Sequence, residues 1–265
     1  MRLALQRDLP LRELLGDIDG GKQMRATQLL HNLGQSIWLD NITRDLLGSG
    51  MLKTYIDGLS VTGLISNPTI FNHAIKNSSA YSAAIRKKFA QNKSGETVFL
   101  ELALEDLTRA ADLFRPTYDR TNGSVTTALV RHRQNLGRRQ RTACSCRPRE
   151  LNHKLGTAIA MRTYKAARDV LSSPRWHRIY NAGAYLHRLL WASTGTKDPT
   201  ASDVLYVKAL AAPFTVKSMP ESTLKALANS KEVDRFWPMG ELRGSVIEVR
   251  RSWHQHRLTG CSASR

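Results

Sequence analysis

Two blocks of short apolar runs and amphipathic helices are separated by an arginine-rich segment that has neither pattern. In residues 24–122 and 153–236, short apolar runs alternate with stretches of helical periodicity. Runs of this kind are typical of strands covered on both faces, and their alternation with helices indicates a parallel α/β fold. Residues 124–154 hold eight Lys and Arg against one acid, Glu150, and contain no aromatic residue except histidine. Such a charged stretch can bury little and is predicted to be disordered, so the core must come from the two blocks.

The apolar runs predict four strands, and the amphipathic stretches predict helices between them. The strands are expected at 33–39, 61–65, 189–192 and 214–216. Helices are expected over 41–50, from Pro68 through Ile85, from Ser94 to Pro116, over 155–171 and 203–210, and from Pro220 onward. Asn67 before Pro68 is a typical helix start, because asparagine caps the first turn and proline fits the first helical position. Pro116 is expected to end its helix.

The composition narrows the class of protein. The net charge of the 265-residue chain is +18, and much of it is concentrated in the arginine-rich segment. No apolar run approaches the ~20 residues of a membrane helix, and residues 1–23 lack the apolar run of a signal peptide, so a cytoplasmic location is expected. The three cysteines, Cys144, Cys146 and Cys261, do not have the spacing of a zinc site. They are predicted to be free thiols, and no metal site is predicted.

Three motifs in the two blocks are similar to those of one enzyme family. They are Ser36-Ile-Trp-Leu-Asp-Asn, Ser66-Asn-Pro-Thr and Trp191-Ala-Ser-Thr-Gly-Thr-Lys-Asp-Pro. With them the chain resembles transaldolase, in its longer bacterial subfamily. The resemblance implies a (β/α)8 TIM barrel and a cytoplasmic enzyme of the pentose phosphate pathway that needs no cofactor. It also implies transfer of a dihydroxyacetone unit from a ketose phosphate, such as sedoheptulose 7-phosphate or fructose 6-phosphate, through a Schiff base on a fourth-strand lysine.

The segment between the blocks is too short to hold the rest of such a barrel. A (β/α)8 barrel takes about 250 residues, so four strand–helix units take roughly 120, and about thirty residues are present. The resemblance therefore covers strands one, two, seven and eight, while strands three to six and the Schiff-base lysine are missing. The basic segments at 123–152 and 237–265 resemble translation in a wrong reading frame, and residues 1–23 are predicted to be an N-terminal extension. The frame hypothesis fails if the other two frames of the gene encode no barrel-like sequence there.

The four remaining strands could still form one sheet. The eighth strand of a closed barrel pairs with the first, so the expected order is seven, eight, one, two. Such a half barrel would leave two parallel edges exposed and its inner face uncovered. Exposed apolar edges favour homo-oligomers or aggregates.

The resemblance also suggests where the site residues lie. Asp40 matches the proton-transfer aspartate at the carboxyl end of the first strand, with a turn or helix cap as the alternative role. Asn67 matches a substrate-binding residue and is equally well explained as a helix cap. Ser193, Thr194 and Lys197 follow the seventh strand, where related barrels bind substrate phosphate with small residues and a cation.

The sequence leaves three interpretations of function open. The first is a truncated, frame-disrupted member of the family that is inactive. The second is an active enzyme with its Schiff base moved to Lys217 or Lys197, because burial would lower the pKa of such an amine and free the nucleophile. For Lys217, a solvent-exposed loop position is favoured instead. The third is a chain whose arginine-rich segment binds nucleic acid without sequence specificity, through salt-dependent attraction to phosphates.

Overall fold

The computed structural model describes the two blocks and a short piece of the segment between them. The described residues are 24–66, 68–121, 154–184, 186–192, 194–196 and 198–230, together with residues 129 and 130. The extension at 1–23 and the tail at 237–265 lie outside this part of the chain, as does nearly all of 123–152. The predicted domain boundaries therefore stay predictions. The same holds for the free cysteines and for a nucleic-acid-binding role of the arginine-rich segment.

The described strands form one parallel sheet which, apart from the short added strand β3 beside β2, has the order of a barrel opened between its second and seventh strands. In chain order the strands are β1 (Ser36–Leu39), β2 (Val61–Ser66), β3 (Leu129–Val130), β4 (Leu189–Trp191) and β5 (Thr215–Met219). Their order across the sheet is β3-β2-β1-β5-β4, and every neighbouring pair is parallel. The predicted order of seven, eight, one, two is confirmed by β4, β5, β1 and β2. The fold is therefore α/β, with the arrangement of an incomplete (β/α)8 barrel.

The sheet contains one strand more than the sequence predicts. In β3, Leu129 and Val130 pair with Ile65 and Ser66 of β2. The expectation that β2 forms an exposed edge is therefore wrong over these two residues. The physical reason is that an edge strand presents unpaired N–H and C=O groups, which a neighbouring apolar pair can satisfy even when it is too short to be recognised in a sequence.

The helices follow the strands closely, and four of the six predicted helices begin within one residue of the expected start. They are α1 (Ala26–Asn32), α2 (Arg44–Gly48), α3 (Met51–Leu59), α4 (Pro68–Asn77), α5 (Ser82–Phe89), α6 (Gly95–Arg120), α7 (Lys154–Leu171), α8 (Pro174–Asn181), α9 (Leu205–Ala209) and α10 (Glu221–Asn229). Ser94 caps α6 by accepting a hydrogen bond from the backbone N–H of Thr97. Ser173 caps α8 in the same way, through the N–H of Trp176.

Two helix predictions are wrong at their ends. Pro116 does not end α6, which continues to Arg120. The buried side chains of Phe114 and Thr117 hold the last turns against the core, and this packing outweighs the loss of one backbone hydrogen bond at the proline. The single helix predicted from Pro68 through Ile85 is interrupted at Ser78, whose extended backbone starts a short 3₁₀ turn before α5.

The helix predicted over 41–50 corresponds to α2 alone, which begins at Arg44. The helix α2 ends at Gly48, and α3 begins at Met51 after Gly50, which has a φ of 76°. A positive φ is accessible to glycine at little cost and breaks helical geometry, so Gly50 separates the two helices.

The two faces of the sheet have different neighbours. Ile37 and Leu39 of β1 pack in the main core with helix residues such as Leu224. Because successive strand side chains point to opposite faces, Trp38 of β1 and Ser218 of β5 lie on the other face, the interior of a closed barrel. These two residues are 2% and 0% exposed, so the expectation of an uncovered inner face is wrong at their positions.

Candidate functional site

The candidate site lies where the carboxyl ends of β1, β4 and β5 meet. Asp40 follows β1 directly, and its backbone N–H donates to the carbonyl oxygen of Met219 at 2.9 Å, which continues the pairing of β1 with β5. Thr194 follows β4, and its Oγ1 donates to the carbonyl oxygen of Ser218 in β5 at 2.7 Å. Asp40, Thr194 and Ser218 are thus brought to the edge at which active sites of (β/α) barrels are found.

The carboxyl group of Asp40 is held in a partly buried position. Burial raises its pKa above the ordinary aspartate value, while the nearby hydroxyl of Ser218 acts in the opposite direction and lowers it. The Ser218 hydroxyl therefore lies close enough to the Asp40 carboxyl to act on it, and the effect of burial is the larger of the two. A carboxyl group with a raised pKa is suited to exchanging protons with a bound ligand.

The loop that carries Asp40 is fixed by contacts on both sides. Asn41 donates from Nδ2 to Glu221 Oε2 at 3.3 Å, and Glu221 also accepts a hydrogen bond from Tyr55 at 2.7 Å. The Thr43 hydroxyl caps α2 by accepting from the N–H of Leu46. These contacts join the loop to α3 and α10, so the position of Asp40 is set by the whole region after β1.

A buried ionic cluster anchors the same loop to α6. Arg44 donates from Nε to Asp106 at 2.9 Å and pairs with Glu105, while its guanidinium lies 4.7 Å from the centre of the Tyr81 ring. Tyr81 donates to Asp106 at 2.7 Å and accepts from the Arg44 N–H at 3.1 Å. Arg44 begins α2, only four residues after Asp40, so this cluster transmits the rigidity of α6 to the candidate site.

Thr194 has a structural contact where the sequence predicts a ligand contact. Its side chain is buried, and its hydroxyl proton is used in the bond to the Ser218 carbonyl. The following Gly195 packs against Pro220, where an added Cβ would lie 3.1 Å from the proline ring. Thr194 therefore joins the loop after β4 to β5, and phosphate binding by this residue stays a prediction. Ser193, Lys197 and Asn67 lie outside the described residues, and their predicted roles stay predictions as well.

Lys217 is not an exposed loop lysine, because β5 continues to Met219 and encloses it. Its side chain is 0% exposed, and its Nζ donates to the carbonyl oxygens of Tyr206 at 3.0 Å and Val207 at 2.7 Å. Burial lowers its pKa well below the ordinary lysine value. Both acceptors belong to α9, the helix between β4 and β5, so the amine points into the helix layer and away from Ser218.

Trp38 and Ser218 are two site residues that the sequence does not single out. They are paired across β1 and β5, on the face that also carries Gly63 of β2. The Trp38 indole lies against Gly63, where an added Cβ would be 2.6 Å from Nε1. The sequence holds no signal that could have found them, because β1 and β5 are buried on both faces and show no alternation.

Neither a metal centre nor a membrane segment is found in the part of the chain that the structure describes. No three His, Cys, Asp or Glu side chains there are grouped as metal ligands. Within the same residues, every helix is too short or too polar to cross a bilayer.

The chain has the architecture of the (β/α)-barrel class, with part of the barrel in place. This class is indicated by the parallel strands, by the helices that connect them and by the polar residues at the carboxyl edge of the sheet. The sequence model of the family Transaldolase/Fructose-6-phosphate aldolase matches residues 37–133. Over these residues, about a third of its length, the chain is similar to that family.

Transaldolases from several bacteria are similar to this chain over most of their own length. The transaldolase of Trichodesmium erythraeum is 26% identical over 310 aligned positions, which take in 77% of this chain and 82% of the relative. That of Thermobifida fusca is 29% identical and covers 76% of this chain and 81% of its own. The transaldolase of Saccharopolyspora erythraea is 28% identical, with 78% and 82% covered.

Proposed function

We propose that this chain binds the sugar phosphates of the transaldolase reaction at the carboxyl edge of β1, β4 and β5 but does not transfer the dihydroxyacetone unit. The similarity to transaldolases supports the ligand class. The observation that carries the proposal is the orientation of Lys217, whose amine bonds to α9 on the face of the sheet opposite to Ser218. A Schiff base at this position would require the amine to leave two hydrogen bonds and cross the sheet.

The length of the alignments supports the loss of the catalytic segment. The alignment with the Trichodesmium erythraeum relative has 310 positions but spans 77% of a 265-residue chain, so roughly a hundred positions of the relative have no residue here. That is close to the roughly 120 residues expected of four strand–helix units of a barrel. The proposal therefore treats the chain as a truncated form, in which strands one, two, seven and eight remain and the Schiff-base lysine is lost.

Asp40 retains a binding role in this proposal. In the reaction of the family a carboxylate moves protons to and from the ketose, and without a Schiff base there is no carbanion for it to serve. A partly buried carboxyl group can still accept or donate hydrogen bonds to ligand hydroxyls. The pathway in which the ligand occurs is proposed to be the pentose phosphate pathway, on the similarity to transaldolases alone.

The proposal is tested by borohydride trapping with fructose 6-phosphate, followed by intact mass measurement and peptide mapping. We expect no ketose adduct on this chain, because the amine of Lys217 faces α9. A full-length transaldolase treated in parallel should be labelled. An adduct on Lys217 or Lys197 would contradict the proposal and establish a relocated Schiff base.

Binding is measured separately by titration calorimetry with fructose 6-phosphate. Saturable heat without a borohydride adduct is the combined result that the proposal predicts. The Asp40→Asn variant should bind more weakly, while Asp57→Asn, an exposed aspartate on α3, should bind like the unsubstituted chain. Absence of any heat would contradict retained binding.

A further inference from the structure

The long helix α6 carries an exposed apolar stripe. Leu100 and Leu104 are 54% and 62% exposed, and Ala111 is exposed as well. These residues are separated by four and seven positions, so they lie on one face of the helix. The core lies against a different face, which carries Ala110 and Phe114. Single exposed leucines are ordinary on protein surfaces, whereas a stripe at helical spacing is typical of a helix that packs into an apolar groove.

An apolar groove lies where α7 meets α8. It has a volume of about 540 Å³ and is lined by Asp169, Val170, Ser173, Arg175, Trp176 and Ile179. Val170 and Ile179 are 62% and 43% exposed. Ile159, which is 56% exposed, precedes Val170 by three turns and lies on the same face of α7. The groove therefore continues along α7 as an apolar surface of the kind that receives a helix.

The stripe and the groove belong to opposite ends of the sheet. The helix α6 packs against β2, whereas α7 and α8 precede β4, the outermost strand at the other end. In a closed barrel the neighbouring strand–helix units cover the flanks of such helices. The stretches 122–153 and 231–265 hold 32 and 35 residues, and the four missing units need roughly 120. One chain cannot supply these units, but a second copy brings four of its own.

The charges of the helices favour a contact between the two different surfaces. Together α7 and α8 hold six basic residues and one acid, Asp169, which pairs with Lys165. Two copies of this surface would repel each other. The helix α6 holds six acids against three basic residues, and three of the acids pair with cations of the same copy. The other three, Glu96, Asp112 and Asp119, are exposed. Of the two surfaces, α6 is therefore the better partner for the basic groove.

We propose that two copies of this chain associate about a two-fold axis, with the α6 stripe of each copy lying in the α7–α8 groove of the other. Each copy then covers one stripe and one groove of its partner, so the association closes after two copies instead of extending into a chain. A partner of another kind would cover only one of the two surfaces. Sugar-phosphate binding plays no part in this contact, so the inference does not depend on the proposed function.

The first test is the mass of the full chain in solution, measured by sedimentation velocity and light scattering over a range of concentrations. A reductant is present, so that the three cysteines form no disulfide between copies. We expect a reversible rise from 29.7 kDa to twice that mass. Leu104→Glu should weaken the association more than about tenfold, because it places a charge in an apolar contact. Met51→Glu, at a residue 41% exposed on α3, is the matched control and should associate like the unsubstituted chain.

A mixing experiment distinguishes this pairing from other symmetric ones. Val170→Glu places a charge in the groove, so this variant alone should also be mainly monomeric. In a mixture with Leu104→Glu, one of the two contacts joins the intact stripe of the Val170 variant to the intact groove of the Leu104 variant. The mixture should therefore recover part of the association that each variant lacks alone. If α6 instead packed against α6, Val170→Glu alone would form dimers as readily as the unsubstituted chain.

Three results would overturn the proposal. They are a mass of 29.7 kDa at every concentration, a mass that keeps growing beyond two copies, and variants that associate as readily as the unsubstituted chain. Because Leu104 and Val170 are exposed in the single copy, both variants should keep its circular dichroism spectrum, which separates loss of the contact from unfolding. The borohydride and calorimetry experiments bear on the proposed function alone, so either conclusion can fail without the other.

Discussion

The Nζ of Lys217 lies 2.7 Å from the carbonyl oxygen of Val207, in the helix that connects β4 with β5. A second hydrogen bond, to the carbonyl oxygen of Tyr206 at 3.0 Å, holds the amine against the same helix. The neighbouring Ser218 points to the opposite face of the sheet. Lys217 therefore belongs to the packing between sheet and helices, and Ser218 belongs to the candidate site.

Because the amine of Lys217 is buried, the free energy of unfolding should depend on pH below the ordinary lysine pKa. Its pKa in the folded chain is lowered by burial, whereas an unfolded lysine has a pKa of about 10.4. Between these two values the unfolded chain binds a proton that the folded chain does not. The free energy of unfolding should therefore rise with pH in this window, by at most about 1.4 kcal/mol per pH unit.

Substitution of Lys217 by Met should remove that slope, because the apolar side chain has no group that titrates. Urea unfolding at several pH values between 7 and 10 measures the slope. Lys53→Met, at an exposed position of α3, should keep the slope of the unsubstituted chain. Equal slopes in the Lys217 variant and the unsubstituted chain would show that the amine is not the source.

The partly buried carboxyl group of Asp40 should lower the free energy of unfolding at neutral pH. Its folded pKa is raised by burial, so between about pH 4 and that raised value the folded chain binds a proton that the unfolded chain has lost. The free energy of unfolding falls as pH rises through this window, and the penalty is complete above it.

Asp40→Asn should therefore stabilise the chain at pH 7, within the range of about 0.5–2 kcal/mol typical of substitutions that relieve a functional site. The same variant should bind fructose 6-phosphate more weakly. Thermal unfolding at pH 4 and pH 7 checks the sign, because the gain should shrink at the lower pH. A variant less stable than the unsubstituted chain at pH 7 would assign Asp40 a capping role instead.

The accuracy of sequence reasoning differs between these residues for a physical reason. The position of Asp40 at the end of β1 follows from a short apolar run and a specific motif, and the structure has it there. The orientation of Lys217 could not be predicted, because β5 is buried on both faces and a strand of this kind lacks the alternation that would assign its faces. The strand formed by Leu129 and Val130 is too short to leave any pattern. The proximity of Trp38 and Ser218 depends on pairing between strands that are distant in the chain.

Gly63 should be required for the position of the Trp38 indole. A Cβ at this residue would lie 2.6 Å from Nε1 and 2.8 Å from two ring carbons, so Gly63→Ala must displace the ring. We expect a loss of about 1–3 kcal/mol in the free energy of unfolding, as for other overpacked interiors, and a changed near-ultraviolet circular dichroism spectrum.

Gly156→Ala in α7 is the matched control for this substitution. An added Cβ at Gly156 has no neighbour within 4 Å, and alanine favours a helix interior over glycine by roughly 0.5–1 kcal/mol. The control should therefore gain stability and keep the tryptophan spectrum. If Gly63→Ala behaves like the control, the Trp38 indole does not lie against Gly63 in the folded chain.

The Tyr81 hydroxyl should contribute to the stability of the loop that carries Asp40. It donates to the fully buried Asp106 at 2.7 Å and accepts from the backbone N–H of Arg44. Tyr81→Phe removes both bonds and leaves a buried carboxylate with one partner fewer, which should cost about 1–3 kcal/mol in denaturant unfolding. Tyr118→Phe, at a tyrosine 48% exposed on the same helix as Asp106, should change stability by less than about 0.5 kcal/mol. Because Arg44 begins α2, the Tyr81 variant should also broaden the amide signals of residues 40–44. If stability is lost while these signals stay sharp, the Tyr81 hydroxyl stabilises the fold but does not hold the loop that carries Asp40.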